Sequence, residues 1–421
     1  MLKKIMSKKY LFIRITLGFV FGIIIGIAAP RLALATEFLG TIYLNGIQMM
    51  IVPIIFASVS TGIISMRDGR ELGRVGMKTV ALFIVNLIVS SLIAYGVALL
   101  IRPGRGVSLA SAPVFEGELA NPSLIGFVTS IVPKNILLAM TEGNILAVIL
   151  FTALFGMAVI TVGEPAKPVK DFVNSLSQVL FKVLGIIMEF SPLGVASLMA
   201  VAVTQYGAGI FSALGMYILT AYIACLVVII LVIILPTVLI TGISPLTILK
   251  GMYPISLMTL STTSSAASLP TSIQVGEGHF KVPKEISRFI LPLGTTIHMV
   301  GGSVSFACLT VFVADFYGLS LSWQQIAFGM FVSLLLNMGA PGIPGGGIIL
   351  GATYLSIVGL PFALMGPIAA VYRLLDMAFT TTNMLSDIQA NLIIAKSEGI
   401  WDASMVDKPL PQIIEQESRI S

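Results

Sequence analysis

Apolar runs long enough to cross a bilayer, one after another, constrain this chain more than any other feature. About 20 apolar residues span the hydrocarbon core as a helix. No water is available there to satisfy backbone N–H and C=O groups, so only helices and closed barrels cross. The first run covers roughly 10–30, and further runs cover roughly 38–66, 79–101, 144–162, 169–203, 213–240 and 286–313. Composition agrees. Of 421 residues, 57% are hydrophobic and 10% charged, where a soluble domain has about a quarter charged. The fold class expected is an all-α polytopic membrane protein. The net charge of +5 is small for this length, and the basic residues sit in short loops. That is the signature of membrane topology and not of nucleic-acid binding. Lys3, Lys4, Lys8 and Lys9, then Arg67, Arg70, Arg74 and Lys78, then Lys281, Lys284, Arg288 and Lys396 mark cytoplasmic ends under the positive-inside rule. Both termini are thereby expected in the cytoplasm. The N-terminus starts like a signal peptide, but its apolar run is too long and a second follows at once, so a retained first helix is expected.

Cys225 and Cys308 lie inside apolar runs with no disulfide or metal spacing, as small core hydrophobes do. The two histidines, His279 and His298, are too few for a histidine-built metal site. His279, in the polar loop GEGHFK, is expected to be solvated. No nucleophile–base pair is visible, and the Ser-rich stretch 256–275 has no His or Lys near it, so the chain is not expected to be an enzyme.

After Thr241 the apolar segments become short and broken. SLMTLSTTSSAASLPTSIQV (256–275) and NMGAPGIPGGGIILGA (337–352) look like helix–tip–helix hairpins that enter the membrane and leave on the same side. Non-helical backbone at membrane depth is tolerated only inside protein or beside a cavity. Two such segments are also the pointer to inverted repeats around a midplane site. The expectation is eight transmembrane helices plus two re-entrant helical hairpins, at about 247–275 and 322–357. Two kinked spanning helices, making ten spans, would keep the same orientation. A helix with PGIPGGG at its middle, however, would leave many backbone groups unpaired.

The stretch 371–396 is apolar yet carries Arg373, Asp376, Thr380, Asn383 and Asp387, at steps of 3, 4, 3 and 4. Those steps form one helical stripe. Ionisable groups at membrane depth face a partner or a water-filled cavity, so the stripe reads as a binding wall. The alternative is a structural polar seam between helices.

The two hairpins, PLGTTIHMVGG, LLDMAFTTTNMLSDIQANLIIAK and the earlier GRVGMK occur in an order that resembles the dicarboxylate/amino acid:cation symporters, the glutamate and neutral amino acid transporter family. The resemblance runs over nearly the whole chain and is strongest over 256–396. It implies a homotrimer in the plasma (inner) membrane and an elevator mechanism with the hairpin tips as gates. Residues 1–66 and 144–203 would form the scaffold and trimer region. Residues 75–101 and 211–396 would form the transport domain, with 397–421 a loose cytoplasmic tail.

Carried over residue by residue, Asp376 matches the family carboxylate that pairs with a substrate α-ammonium. Asn383 and Ser265 match positions that hold the α-carboxylate, helped by backbone N–H groups at the first tip around Thr263 and Ser264. Thr380 lies one turn further in, and Ile343 and Gly347 match second-hairpin positions that close over the substrate. Acidic-substrate members hold the side-chain carboxylate with an arginine. The corresponding positions here are Phe379, Met377 and Thr263, none able to form a bidentate pair. A neutral amino acid is therefore expected. Arg373 would pair with Asp376, touch the mouth of the site, or reach an unusual acidic ligand.

Asp387, Asn383 and carbonyls near Gly294 and His298 match one sodium site. Carbonyls near Thr296, Met299, Asn337, Met338 and Ala340 match a second. The third family site corresponds to Phe83, Asn86, Leu87, His298 and Val300, and its oxygens are missing, so that site is expected to be lost. His298 would either titrate, letting a proton replace one sodium, or stay neutral and hydrogen-bonded to Asn86. The leading expectation is sodium-coupled import of a neutral amino acid, with no cofactor. The alternatives are a proton-coupled carrier, a carrier of an acidic amino acid or dicarboxylate, and, in another class, a substrate-gated anion channel or sensor.

Overall fold

In the computed structural model, residues 11–64, 73–105, 132–142, 145–207, 209–337, 345–361 and 363–406 are described, and all regular structure among them is helical. Helices α1 (Leu11–Ala28), α2 (Pro30–Ala35), α3 (Glu37–Met49) and α4 (Ile51–Ile64) are followed by the long α5 (Gly73–Ile101). Then come α6 (Ile136–Thr141), α7 (Ile145–Val162), α8 (Lys167–Glu189), α9 (Ser191–Tyr206) and α10 (Gly209–Thr241). The remaining elements are α11 (Pro245–Thr262), α12 (Ser265–Gln274), α13 (Lys284–Ile297), α14 (Val300–Phe316), α15 (Trp323–Asn337), α16 (Gly346–Val358) and α17 (Met365–Ser397). By length and composition, α5, α10 and the α13–α14 pair can each cross a bilayer.

Three of the expected continuous spans are broken, and each break has a local cause. The run 38–66 divides between α3 and α4 because Pro53, in the first turn of α4, has no N–H for the carbonyl of Met49. The run 169–203 divides into α8 and α9, bent by 52°, with Pro192 in the first turn of α9. The run 286–313 opens at His298 and Met299, where the backbone leaves helical geometry between α13 and α14. Helix α10 stays continuous but widens into a π turn over Ile229–Ile234. Pro236 follows at once and has no N–H to offer the Val232 carbonyl four residues earlier.

The expected hairpins are present as helix pairs. Helices α11 and α12 reverse at Thr263 and Ser264. Helices α15 and α16 stand where the second is expected, and residues 338–344 between them lie outside the described residues, as do the site positions Met338, Ala340 and Ile343.

Helix α17 lies at the centre. It is buried along nearly its whole length and packs against α9, α10, α11, α13 and α14. Far from it, α1 runs along α9 with Gly18, Gly22 and Gly26 facing the backbone carbonyls of Pro192, Ala196 and Ala200. Small residues at a spacing of four let two membrane helices touch backbone to backbone.

The polar tail, expected to be loose from Ser397 on, is docked as far as Val406. Glu398 accepts from Arg74 at 2.5 Å and Lys78 at 2.7 Å, both at the start of α5. Trp401 is 2% exposed, and its indole N–H donates to the Phe280 carbonyl at 2.7 Å. His279 is likewise half-buried and not solvated. Its Nε2 lies 3.2 Å from the Thr247 carbonyl, and its ring meets Phe280 edge-on. Burial of an aromatic side chain removes enough apolar surface from water to fold a short tail back.

Two outcomes follow. A Gly22→Ala protein should lose about 1–3 kcal/mol of stability, because its methyl meets the Ala196 carbonyl. Gly185→Ala, whose Cβ enters open space, should hold or gain stability. Thermal unfolding of the two purified proteins in detergent checks this. The Lys78 and Arg74 groups hold the Glu398 carboxyl below its ordinary value of 4.5. Its contribution to docking is therefore complete above that value and disappears as pH falls through the lowered one. In a Trp323→Phe protein, which leaves Trp401 as the one tryptophan, emission should stay blue at neutral pH and shift red on acidification below the carboxylate range.

Candidate substrate and cation sites

The first hairpin turns in two residues. Thr263 adopts the left-handed conformation (φ 48°, ψ 40°), and Ser264 caps α12 by accepting from the Ala267 N–H at 3.2 Å. The first N–H groups of α12 have no partner within the helix and suit an anion. Arg373, on α17, donates to Thr263 Oγ1 and, at 3.1 Å, to the Ser261 carbonyl. Of the roles the sequence left open for Arg373, the structure thus shows a contact with the first hairpin's tip.

Beside that tip lies a cavity of about 50 Å³. Asp376, Phe379, Thr380 and Asn383 of α17 line it together with Ser265 of α12, Gly347 of α16, Asn337 of α15 and Met299. The sequence stripe thus meets both hairpins at one place. Thr263 and Ser264 are buried in the tip rather than in the lining. Gly294, Thr296, His298 and Asp387 also lie outside the lining. Tyr372, Gly302, Ser305, Phe306 and Leu350 line the cavity as well and were not anticipated. Tyr372 sits four residues before Asp376, so the helical period alone could have found it. Gly347 is required by close approach, since a Cβ there would run into the Tyr372 hydroxyl.

Asp376 is the one charged residue among the described lining residues. Its carboxylate accepts from the Gly345 N–H at 3.1 Å and from Thr380 Oγ1 at 3.2 Å. One helical side chain thereby holds the start of α16. Asn383 Oδ1 accepts from the Gly301 N–H at 2.6 Å. That bond satisfies an otherwise orphan donor at the start of α14 and fixes the amide so that its amino group is the free end.

A second polar centre lies off the cavity, where α13 breaks. Asp387 and His298 are both fully buried, with Asp387 Oδ1 2.9 Å from His298 Nδ1. Asp387 Oδ2 has no hydrogen-bond partner. Gly294 stands directly against this carboxylate, and any side chain there would displace it. Asn86 Nδ2 lies 3.1 Å from His298 Nε2, and the Phe83 ring stacks on the imidazole at 3.9 Å with a 10° tilt. Leu87 and Val300, both buried, offer no oxygen. An uncommitted buried carboxylate oxygen beside an opened helix is what a hard cation binds, together with backbone carbonyls. Among the described residues no cluster of three or more His, Cys, Asp or Glu exists.

A family model for the sodium:dicarboxylate symporter family matches residues 11–397. The chain is 30% identical over 400 residues to the proton/sodium-glutamate symport protein of Geobacillus stearothermophilus, covering 92% of this chain and 94% of the relative. It is 30% identical over 409 residues to the C4-dicarboxylate transport protein of Rhizobium etli, covering 95% and 92%. It is 32% identical over 400 residues to the C4-dicarboxylate transport protein of Rhodospirillum rubrum, covering 93% and 89%. These relatives are carriers and not enzymes, and this multi-helix membrane protein is a member of the sodium:dicarboxylate symporter family.

Proposed function

We propose that the protein is a secondary active symporter that imports a neutral amino acid on a sodium gradient. The observation that carries the substrate class is the charge content of the cavity. Its described walls hold one ionisable group, the Asp376 carboxylate, together with the buried ring of Phe379. A carboxylate attracts a substrate ammonium and repels a dicarboxylate. The Asn383 amino group and the N–H groups of α12 at Ser265 then suit the α-carboxylate. Phe379 offers a substrate side chain an apolar wall, and an unpaired carboxylate against it would be costly. The glutamate and C4-dicarboxylate of the relatives' names are thus disfavoured here. Arg373 supports the second reading, an acidic amino acid. Its guanidinium sits at the hairpin tip, although it is outside the cavity lining and is engaged by Thr263 and Ser261.

For the cations, Asp387 with carbonyls of Gly294, His298 and Asn383 would form one sodium site. Carbonyls of Thr296, Met299 and Asn337, joined by Met338 and Ala340, would form another. Phe83, Leu87 and Val300 remove the oxygens of a third, so fewer sodium ions would accompany each substrate than in relatives that keep it. The membrane would be the inner membrane and the assembly a homotrimer. Residues 1–66 and 144–203 would form the fixed part, while 75–101 and 211–396 move as an elevator behind the two hairpins.

Uptake into proteoliposomes under an imposed sodium gradient, with a labelled neutral amino acid and a panel of competitors, tests this. Neutral amino acids should compete, while aspartate, glutamate and succinate should not. Asp376→Asn should lower uptake by tenfold or more, the scale of a lost charge-assisted hydrogen bond. Phe379→Arg should admit acidic amino acids at the expense of neutral ones. Competition by acidic compounds in the unaltered protein would favour the Arg373 reading.

A further inference from the structure

Gln389 lies two residues beyond Asp387 on α17 and is 1% exposed. Its Nε2 is 3.3 Å from the Val232 carbonyl, and its Oε1 is 2.8 Å from Asn86 Nδ2. The same Asn86 nitrogen lies 3.1 Å from His298 Nε2, and His298 Nδ1 lies 2.9 Å from Asp387 Oδ1. These groups form an unbroken chain from the π turn of α10 to the Asp387 carboxylate, through three helices (α10, α17 and α5) and the break before α14.

The direction of every bond in the chain follows from one end. A backbone carbonyl can only accept, so Gln389 must place its amino group against Val232. Its own carbonyl oxygen then accepts from Asn86, which must present nitrogen. An amide nitrogen has two hydrogens and donates both. One goes to Gln389 and the other to His298 Nε2, which is left the acceptor. The imidazole proton is therefore on Nδ1 and is donated to Asp387 Oδ1. Asp387 Oδ2 is left without a hydrogen bond.

We propose that Gln389 is a positioning residue for the cation-binding carboxylate. Through Asn86 it fixes His298 as the Nδ1–H tautomer, which holds one oxygen of Asp387 and leaves the other for the ion. The inference rests on the reading of Asp387 as a sodium ligand. It adds that the polar groups filling the place of the third sodium site form a hydrogen-bond chain that sets the geometry of the first. Pro236 belongs to the chain's origin, since it leaves the Val232 carbonyl without its usual N–H partner. Phe83, stacked on the imidazole, holds the ring plane.

Two readouts test the proposal. Gln389→Met keeps the side-chain length but neither donates nor accepts at both ends of the chain. The sodium concentration for half-maximal uptake should rise about tenfold or more, the scale reported for losing an outer partner of a metal ligand. The substrate KM at saturating sodium should stay within about twofold. An unchanged sodium dependence in a folded Gln389→Met protein overturns the proposal. Should that variant fail to fold, the second readout decides. The chain has two histidines, so 15N-histidine labelling of a His279→Gln protein leaves the His298 ring alone. Nitrogen shifts of a protonated Nδ1 and a bare Nε2 support the chain, and the opposite tautomer overturns it. Sodium-independent uptake by the unaltered protein would instead overturn the proposed coupling, whichever tautomer the nitrogen shifts report.

Discussion

An unpaired backbone or side-chain polar group inside a bilayer costs several kcal/mol, and the interior of this protein is arranged around that cost. Helix α14 begins at a buried break in the chain, and the Asn383 amide takes up its Gly301 N–H. Helix α10 carries a proline whose missing N–H leaves the Val232 carbonyl to Gln389. The second hairpin is tied inward by the hydroxyls of Tyr95, Thr310 and Tyr354, which bond one another at 2.7–3.2 Å between α5, α14 and α16. Two of these partners, Asn383 and Gln389, stand on α17, as do Asp376 and Asp387. That explains how a helix so rich in polar residues can be buried along nearly its whole length.

The same economy produces the site. A side chain whose polar end is already matched by a backbone group cannot swing away, so Asp376 and Asn383 are held before any ligand arrives. Both line the cavity, and they differ in character: one a carboxylate, the other an amide whose oxygen is already engaged. The substrate proposed above, an amino acid zwitterion, would complement both groups. At Asp387 the logic is repeated with an imidazole in place of a peptide N–H.

Much of the fold was legible in the sequence. Runs of apolar residues have one stable outcome in lipid, and Ser/Thr- or Gly/Pro-rich interruptions mark where a helix cannot continue. The seam between α1 and α9 went unread, because the spacing of Gly18, Gly22 and Gly26 does not name the helix that packs on it. The breaks at Pro53 and Pro192 were not legible either, because a proline in a first turn is compatible with either a new helix or a kinked one. The docking of Trp401 had no local signal. It depends on Phe280, 121 residues away, leaving a carbonyl and an apolar hollow at the right place.

The sequence by itself determined which residues share the α17 stripe, since the helical period places Arg373, Asp376, Thr380, Asn383 and Asp387 on one side whatever surrounds them. Only the tertiary structure decided what each of them meets. Arg373 found the first hairpin, Asp376 the second, Asn383 the start of α14, and Asp387 an imidazole. Those partners lie 31–112 residues from the stripe in the chain, and Asn86 lies 303 residues from Gln389. Periodicity is set by bonds between neighbours, whereas the direction of a hydrogen bond is set by whichever group packing brings opposite, and no local pattern encodes that.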